Sequence, residues 1–320
     1  MSPFETASIV TTPVAPVPEG GAAIFKSCVL LVLELRRPGF RRSVKSSDTR
    51  YADSLAAGVI HVGKDIIESP ELRAIERAHG ELRRFIQDQC LPSRFKTGTY
   101  LLPIAALEKV DGHIQSEAQR VAELVEVFLT AYPQRQAEGL KKLADAGLAN
   151  EGEYPDVEKV RESFDIRTAY VAYDTPATLK TIRRDIFERE REKAAASWSH
   201  AVDEGRALLL GTFQDLVGSM ADRLTATEDG KPRVFRNSLV TNMTEFLDSF
   251  TAKDTITNFP ELAAVVSDMR GLLNGVSAED LRKDDAIRAN VTENVARIKD
   301  HLAGMVIDKP ARAFSFTPES

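Results

Sequence analysis

The chain has 320 residues, 43% hydrophobic and 28% charged, the composition of a soluble globular protein long enough for one large domain or two ordinary ones. Its formal charge of −6 excludes a protein that coats nucleic acid, because phosphate binding needs a surplus of Lys and Arg, and leaves room only for a local basic patch. The two cysteines, Cys28 and Cys90, are too few for a disulfide framework and lack the spacing of a zinc site; a reducing cytosol fits both as buried thiols.

Residues 1–22, rich in Pro, Thr, Val and Gly, read as a disordered or extended tail without the basic start and apolar core of a secretory signal. Residues 23–45 read as a small β element, a hairpin in which the apolar run Cys28–Leu35 turns at Pro38-Gly39 and returns through Phe40–Val44. That run is far below the roughly 18 residues of a membrane-spanning helix, so no membrane partner is expected. Beyond it the apolar period becomes 3.6 residues.

Residues 69–174 read as a first helical part. Ser69-Pro70-Glu71 combines a cap, a proline at the first helical position and an acid at the positive end of the helix dipole. Leu72, Ile75, His79, Leu82 and Ile86 follow on one face, and the helix should stop near Cys90, before Pro92. The stretch SRFKTGTYLL reads as irregular or extended. A second helix starts near Pro103 and carries Leu107, Val110, Ile114, Val121, Leu124, Val125, Phe128 and Tyr132, with Pro133 ending or kinking it. Gln134–Leu148 predicts a third, weaker helix, and Val157–Phe164 a short one after a loop.

Residues 175–304 read as a bundle around one very long helix. Thr175-Pro176 opens it, and no Gly-Pro breaker occurs before TEDGKP at 227–232. A helix over about 176–226 would be on the order of 75 Å long. Gly205, Gly211 and Gly218 lie inside it, each weakening it by about 1 kcal/mol relative to Ala, so it bends or breaks in two. Its middle, EREREK from Glu188 to Lys193, has no apolar residue, the pattern of a solvated helix braced by Glu–Arg pairs. Three further helices, about 236–252, 260–274 and 278–304, fold back against it, the last opened by a capping box from Ser277 to Asp280. ARAFSF at 311–316 reads as a closing strand. The fold class expected is mainly α: an elongated, coiled-coil-like bundle with the long helix in an antiparallel hairpin, plus the β-hairpin, all in one domain over 23–320.

Among motifs, Gly58, Gly63 and Lys64 stand at the spacing of a phosphate-binding loop, but Asp65 replaces the hydroxyl residue that would hold Mg²⁺, and no strand precedes Gly58. The stretch reads instead as a turn or helix start with Val59, Ile60 and Val62 packed inward. Ser93 and Lys96 belong to overlapping S-x-x-K and K-T-G motifs, which would oblige one lysine to fill two roles. His61, His79, His113, His200 and His301 form no metal pattern. Ser197 and His200 lie one turn apart in mid-helix, without the strained elbow that exposes a nucleophile. Glu151, Glu153 and Asp156 lack the alternation of a calcium loop. No catalytic set, cofactor or metal is expected.

The most asymmetric segment is basic. Arg36, Arg37, Arg41, Arg42, Lys45 and Arg50 have only Asp48 against them. Two readings stand: a hairpin edge guarded by its charges, and a contact for nucleic acid or an acidic partner.

Three stretches, HVGKDIIESPELRAI, RFIQDQCLPSRFKTGTYLLPIAALEKV and VFLTAYP, resemble a family of uncharacterised helical proteins from bacteriophages and integrative mobile elements, over roughly residues 25–310. The resemblance implies a mostly helical protein without established activity, often encoded near a MoxR-type AAA+ ATPase. The function expected is a non-enzymatic adaptor or structural component of such a multiprotein system, working with a protein partner such as that ATPase. The alternative is a nucleic-acid-binding accessory protein that uses residues 36–50.

Overall fold

The computed structural model describes residues 27–44, 61–93, 97–171, 181, 183–224 and 237–305. The expected tail, Lys45, Arg50, Val59, Ile60, Lys96 and the strand at 311–316 lie outside the described residues, as do both ends of the helix expected over 176–226.

Strand β1 (Cys28–Arg36) is apolar on both faces, which requires burial on both sides. It does not form the expected hairpin. The returning segment, β2 (Arg41–Ser43), pairs with β3 (Gly63–Asp65) in a separate two-stranded sheet. β1 instead takes partners distant in sequence, β5 (Thr99–Pro103) on one side and β6 (Asp165–Val171) on the other, both antiparallel. β4 (Leu91–Pro92) completes the order β4-β5-β1-β6. Arginine-rich β2 does not suit the buried position that β5 takes beside β1. It stays at the periphery, where Phe40 and Val44 turn inward.

The helices follow their sequence signals more closely. In α1 (Pro70–Gln89) the Ser69 hydroxyl accepts from Leu72 N at 3.0 Å, and Leu72, Ile75, His79, Leu82 and Ile86 are buried as the period predicts. After a 3-10 turn over Ile104–Ala106, α2 (Leu107–Ala144) runs through Pro133, so the expected second and third helices are one. Pro133 is on the exposed face, and contacts on both sides of it hold the helix: Phe128 and Tyr132 are buried before it, and Arg135 bonds Glu71 of α1 after it. A proline that forfeits one hydrogen bond is tolerated when packing spans it. Short α3 (Val157–Ser163) buries Val160 and leads into β6, a strand not anticipated from sequence.

α4 (Arg184–Leu224) is the long helix. It is continuous at Gly205, Gly211 and Gly218, and it packs against α5 (Asn237–Thr257) and α8 (Asp285–Ala303). Gly205 marks a close approach: a Cβ there would stand 2.9 Å from Leu91 Cδ1 and 3.0 Å from Thr257 Cγ2. α6 (Pro260–Leu273) follows a positive-φ Asn258. The capping box forms, with Ser277 N donating to Asp280 Oδ2 at 2.8 Å and Asp280 N to Ser277 Oγ at 3.1 Å. It opens only the single-turn α7 (Asp280–Lys283), because Asp284 adopts an extended conformation and caps α8, accepting from Ala286 N and Ile287 N. The expected helix over 278–304 is therefore two.

The mainly α architecture has its sheet between two helical layers. Leu31, Leu33 and Leu102 face α1 and α2. Cys28, Leu30, Leu91 and Leu101 face a larger core built from α4, α5, α6 and α8. A third cluster joins the β2–β3 sheet to α1 and α2 through edge-to-face aromatic contacts, Phe40–Phe128 at 5.9 Å and Phe128–Tyr132 at 5.8 Å.

Candidate functional site

The basic residues diverge in the folded chain. Arg36 ends β1, opposite Asp165, and is exposed. Arg37 forms an ion pair with Glu76 of α1. Arg41 is exposed on β2 and lies over Gly63, whose missing Cβ leaves room for the guanidinium. Arg42 folds back: its Nη1 donates to Gly39 O at 2.7 Å and its Nη2 to Glu153 O at 3.1 Å. Two of the four described arginines are thus committed to structure, and Arg36 and Arg41 remain as outward cations. Arg36 and Arg37 line a shallow cleft of about 630 Å³ with Pro38, Gly39, Lys159 and Glu162.

The phosphate-loop spacing is a coincidence of a strand. Gly63–Asp65 is ladder-paired rather than wrapped around a helix start, which corrects the expected turn or helix start. Lys64 is 10% exposed in its side chain, 2.7 Å from the Glu153 carboxylate, and donates to Leu148 O at 2.6 Å. Its charge holds the β2–β3 sheet on the chain that follows α2. The acidic loop therefore contributes an anchor, through Glu153, and among the described residues no group of acids, histidines and cysteines is arranged to hold a metal ion.

The histidines are dispersed. His113 lies against Phe85, ring centroids 3.7 Å apart. His200 faces Glu204 one turn along α4 at 3.7 Å. His301 lines a cleft of about 520 Å³ between α6 and α8, with Asp268, Asn294 and Arg297. His79 is 6% exposed, and its Nε2 has no hydrogen-bond partner. Burial depresses its pKa, and the charges of Arg37 and Arg83 act in the same direction.

A buried cation was missed in the sequence. Lys253 of α5 is 7% exposed, with Asp88 and Cys90 at the end of α1 as its charged and titratable neighbours. Burial lowers the lysine pKa, opposed by Asp88 and Cys90, while burial pushes the Cys90 thiol up to about 12. The signal was present: Lys253 continues the stripe of Phe246 and Phe250 at seven- and three-residue spacing, which places it on the inner face.

The other surface of interest is the first part of α4. From Arg184 to Ser197 no residue is buried, and the next, Trp198, is. The charges pair along the helix itself: Arg184 Nε donates to Glu188 Oε1 at 2.9 Å and Lys193 Nζ to Glu190 Oε1 at 2.8 Å. Half-covered Phe187, Glu190 and Ala194 extend the line of Trp198, Ala201 and Gly205 outward. No described helix is long and apolar enough to cross a membrane. No family model, curated protein or solved structure matches this chain.

Proposed function

We propose that the protein is a non-enzymatic adaptor or structural component of a phage or mobile-element multiprotein system, acting by helix-mediated association, with an AAA+ ATPase as the partner class. The observation that carries this reading is the unburied opening of α4: from Arg184 the helix runs about 20 Å before its first buried residue, Trp198. Its self-paired charges keep it helical without a core, and its half-covered line at helical spacing offers a partner helix a surface. The three stretches that resemble the mobile-element family support the choice of system.

The test is affinity capture of the full chain from its host, with a nuclease-treated sample in parallel and a variant in which Phe187, Glu190 and Arg191, on and beside the half-covered line, are all alanine. The alanines preserve helix propensity and remove these side chains. One stoichiometric protein partner is expected in both wild-type samples and lost in the variant. Equal capture by the variant refutes the role of the α4 surface.

A second reading rests on Arg36, exposed in a cleft it shares with Lys159, and on Arg41, exposed on β2. It makes the basic turn a nucleic-acid contact. It requires binding that weakens with salt and weakens again when Arg36, Arg37, Arg41 and Arg42 are replaced by Ala. Two of those side chains already serve internal contacts, so a loss seen only in Arg37 and Arg42 variants would indicate structural damage rather than a binding surface.

A further inference from the structure

β6 is the outer strand of its sheet, and among the described residues nothing pairs with its far side. The ladder shows which of its groups face outward. On β1, Leu33 N donates to Gly98 O at 2.8 Å, and Ile104 N donates to Ser27 O at 2.9 Å, so the odd-numbered residues of β1 direct their backbone groups toward β5. The even-numbered ones therefore point toward β6, where their partners are Val171, Ala169, Arg167 and Asp165. By alternation, the N–H and C=O groups of Ile166, Thr168 and Tyr170 point away from the sheet. The side chains of Ile166 and Tyr170 pack inward on the α1–α2 face, and Tyr170 is fixed by its hydroxyl donating to Asp111 Oδ1 at 2.7 Å. The edge is thus rigid, regular and free of the proline, bulge or lysine that commonly blunts such strands.

We propose that this edge is a homodimer interface in which β6 pairs antiparallel with β6 of a second copy, about a two-fold axis at Thr168. In that register all seven strand residues are matched. Thr168 faces its own counterpart in a hydrogen-bonded pair, and Ile166 faces Tyr170 twice, an aromatic–β-branched match. Arg167 faces Ala169 and Asp165 faces Val171, so no like charges stand directly opposite. Arg167 and Asp165 neutralise one another within their own strand. Moving the axis to residue 167 would set Arg167 against Arg167, which selects the Thr168 register. The two sheets would join into one of eight strands through an isologous contact. A contact this narrow falls short of the roughly 1,600 Å² of a standard interface, so dissociation in the micromolar range is expected.

Sedimentation equilibrium of the full chain across roughly 1–100 µM is the first test, with Thr168→Pro alongside. The proline removes an N–H that points to the open edge and leaves the β1 ladder intact. Wild type is expected to dimerise, and the variant to dissociate about 30-fold more readily or further, from two lost hydrogen bonds. A monomeric wild type, or a variant that dimerises as well, overturns the proposal. Hydrogen exchange on the wild type gives an answer that does not depend on the variant folding. Protection of the Ile166, Thr168 and Tyr170 amides must rise with protein concentration. Protection that is the same at every concentration would assign the edge to a segment of the same chain, and uniformly fast exchange would leave it uncovered; either overturns the homodimer.

Discussion

Gly139→Ala and Gly211→Ala are the same chemical change in the interior of two long helices, and the structure gives them opposite signs. In an exposed helix interior the change stabilises by about 1 kcal/mol, because alanine gives up less backbone freedom than glycine. Gly211 of α4 has no atom within 4 Å of the position a Cβ would take, so it should show close to that gain. At Gly139 of α2 the Cβ would overlap the carbonyl oxygen of Ile66 and stand 2.8 Å from the Tyr154 hydroxyl. Those two atoms are themselves bonded, Tyr154 Oη donating to Ile66 O at 2.9 Å in a buried site. The obstacle is backbone and cannot rotate away. Relief requires displacing the chain after β3, with an overpacking cost of about 1–3 kcal/mol and a buried hydrogen bond lost or stretched at about 1–3 kcal/mol. After subtracting the propensity gain, Gly139→Ala should destabilise by about 3 kcal/mol. Urea unfolding followed by circular dichroism reads both variants as shifts of the midpoint in opposite directions. A Gly139→Ala protein as stable as the parent, beside a stabilised Gly211→Ala, would refute the close seating of the β2–β3 sheet on α2.

Three other substitutions probe buried and paired charges. His79 has a folded-state pKa below its ordinary 6.5, so the unfolded chain takes up the proton first. Its contribution is whole above about pH 6.5 and declines as pH falls toward the depressed value. His79→Leu should flatten the fall in urea midpoint between about pH 7 and pH 5, and an unchanged slope would show that other groups cause it. Lys253 is likewise depressed from 10.5 by burial, so its ammonium form opposes folding at neutral pH and that opposition fades as pH rises toward 10.5. Lys253→Met should stabilise at pH 7 by about 1 kcal/mol and give no gain near pH 10.5; a loss at pH 7 would mean that attraction to Asp88 outweighs desolvation. Arg135 binds Glu71 through both carboxylate oxygens, at 2.6 and 3.1 Å, and the Arg135 hydrogen bond holds the Glu71 carboxyl below its ordinary 4.5. The stabilisation is present above that value and lost as pH falls through the folded pKa. Arg135→Ala should therefore lower the midpoint at pH 7 by less than Gly139→Ala does, and a double-mutant cycle with Glu71→Gln should show coupling that shrinks in high salt.

The basic turn illustrates how far local reading reaches toward function. Six cations close together in sequence suggest one patch, yet the fold turns Arg42 onto the Gly39 and Glu153 carbonyls and Arg37 onto Glu76. Which charges remain outward depends on α1 and on the loop after α2, more than thirty residues away in sequence. The buried Lys253 was partly legible in its spacing, but its depressed pKa comes from burial in the folded chain, which Asp88 and Cys90 at the end of α1 oppose. Of the unburied opening of α4 only Glu188–Lys193 was legible, because a run without apolar residues has nothing to bury on any face; the half-covered Phe187 and Ala194 that flank it are apolar and gave no such signal.

The sequence by itself determined the helical character of the chain, the cap and buried face of α1, and the reciprocal bonds of Ser277 and Asp280, since each is an interaction within four residues or a simple period. It could not decide the partners of β1, because strand pairing is written in contacts across more than sixty residues and β6 carries no strong pattern of its own. It left open whether Pro133 ends or only kinks its helix for the same reason, and the helix does not end there. Local chemistry opposes a helix there, and only the tertiary contacts of Tyr132 and Arg135 on either side outweigh the missing hydrogen bond. Likewise the glycines of α2 and α4 look alike in the chain, and only the neighbours brought against them distinguish a required Gly139 from a dispensable Gly211.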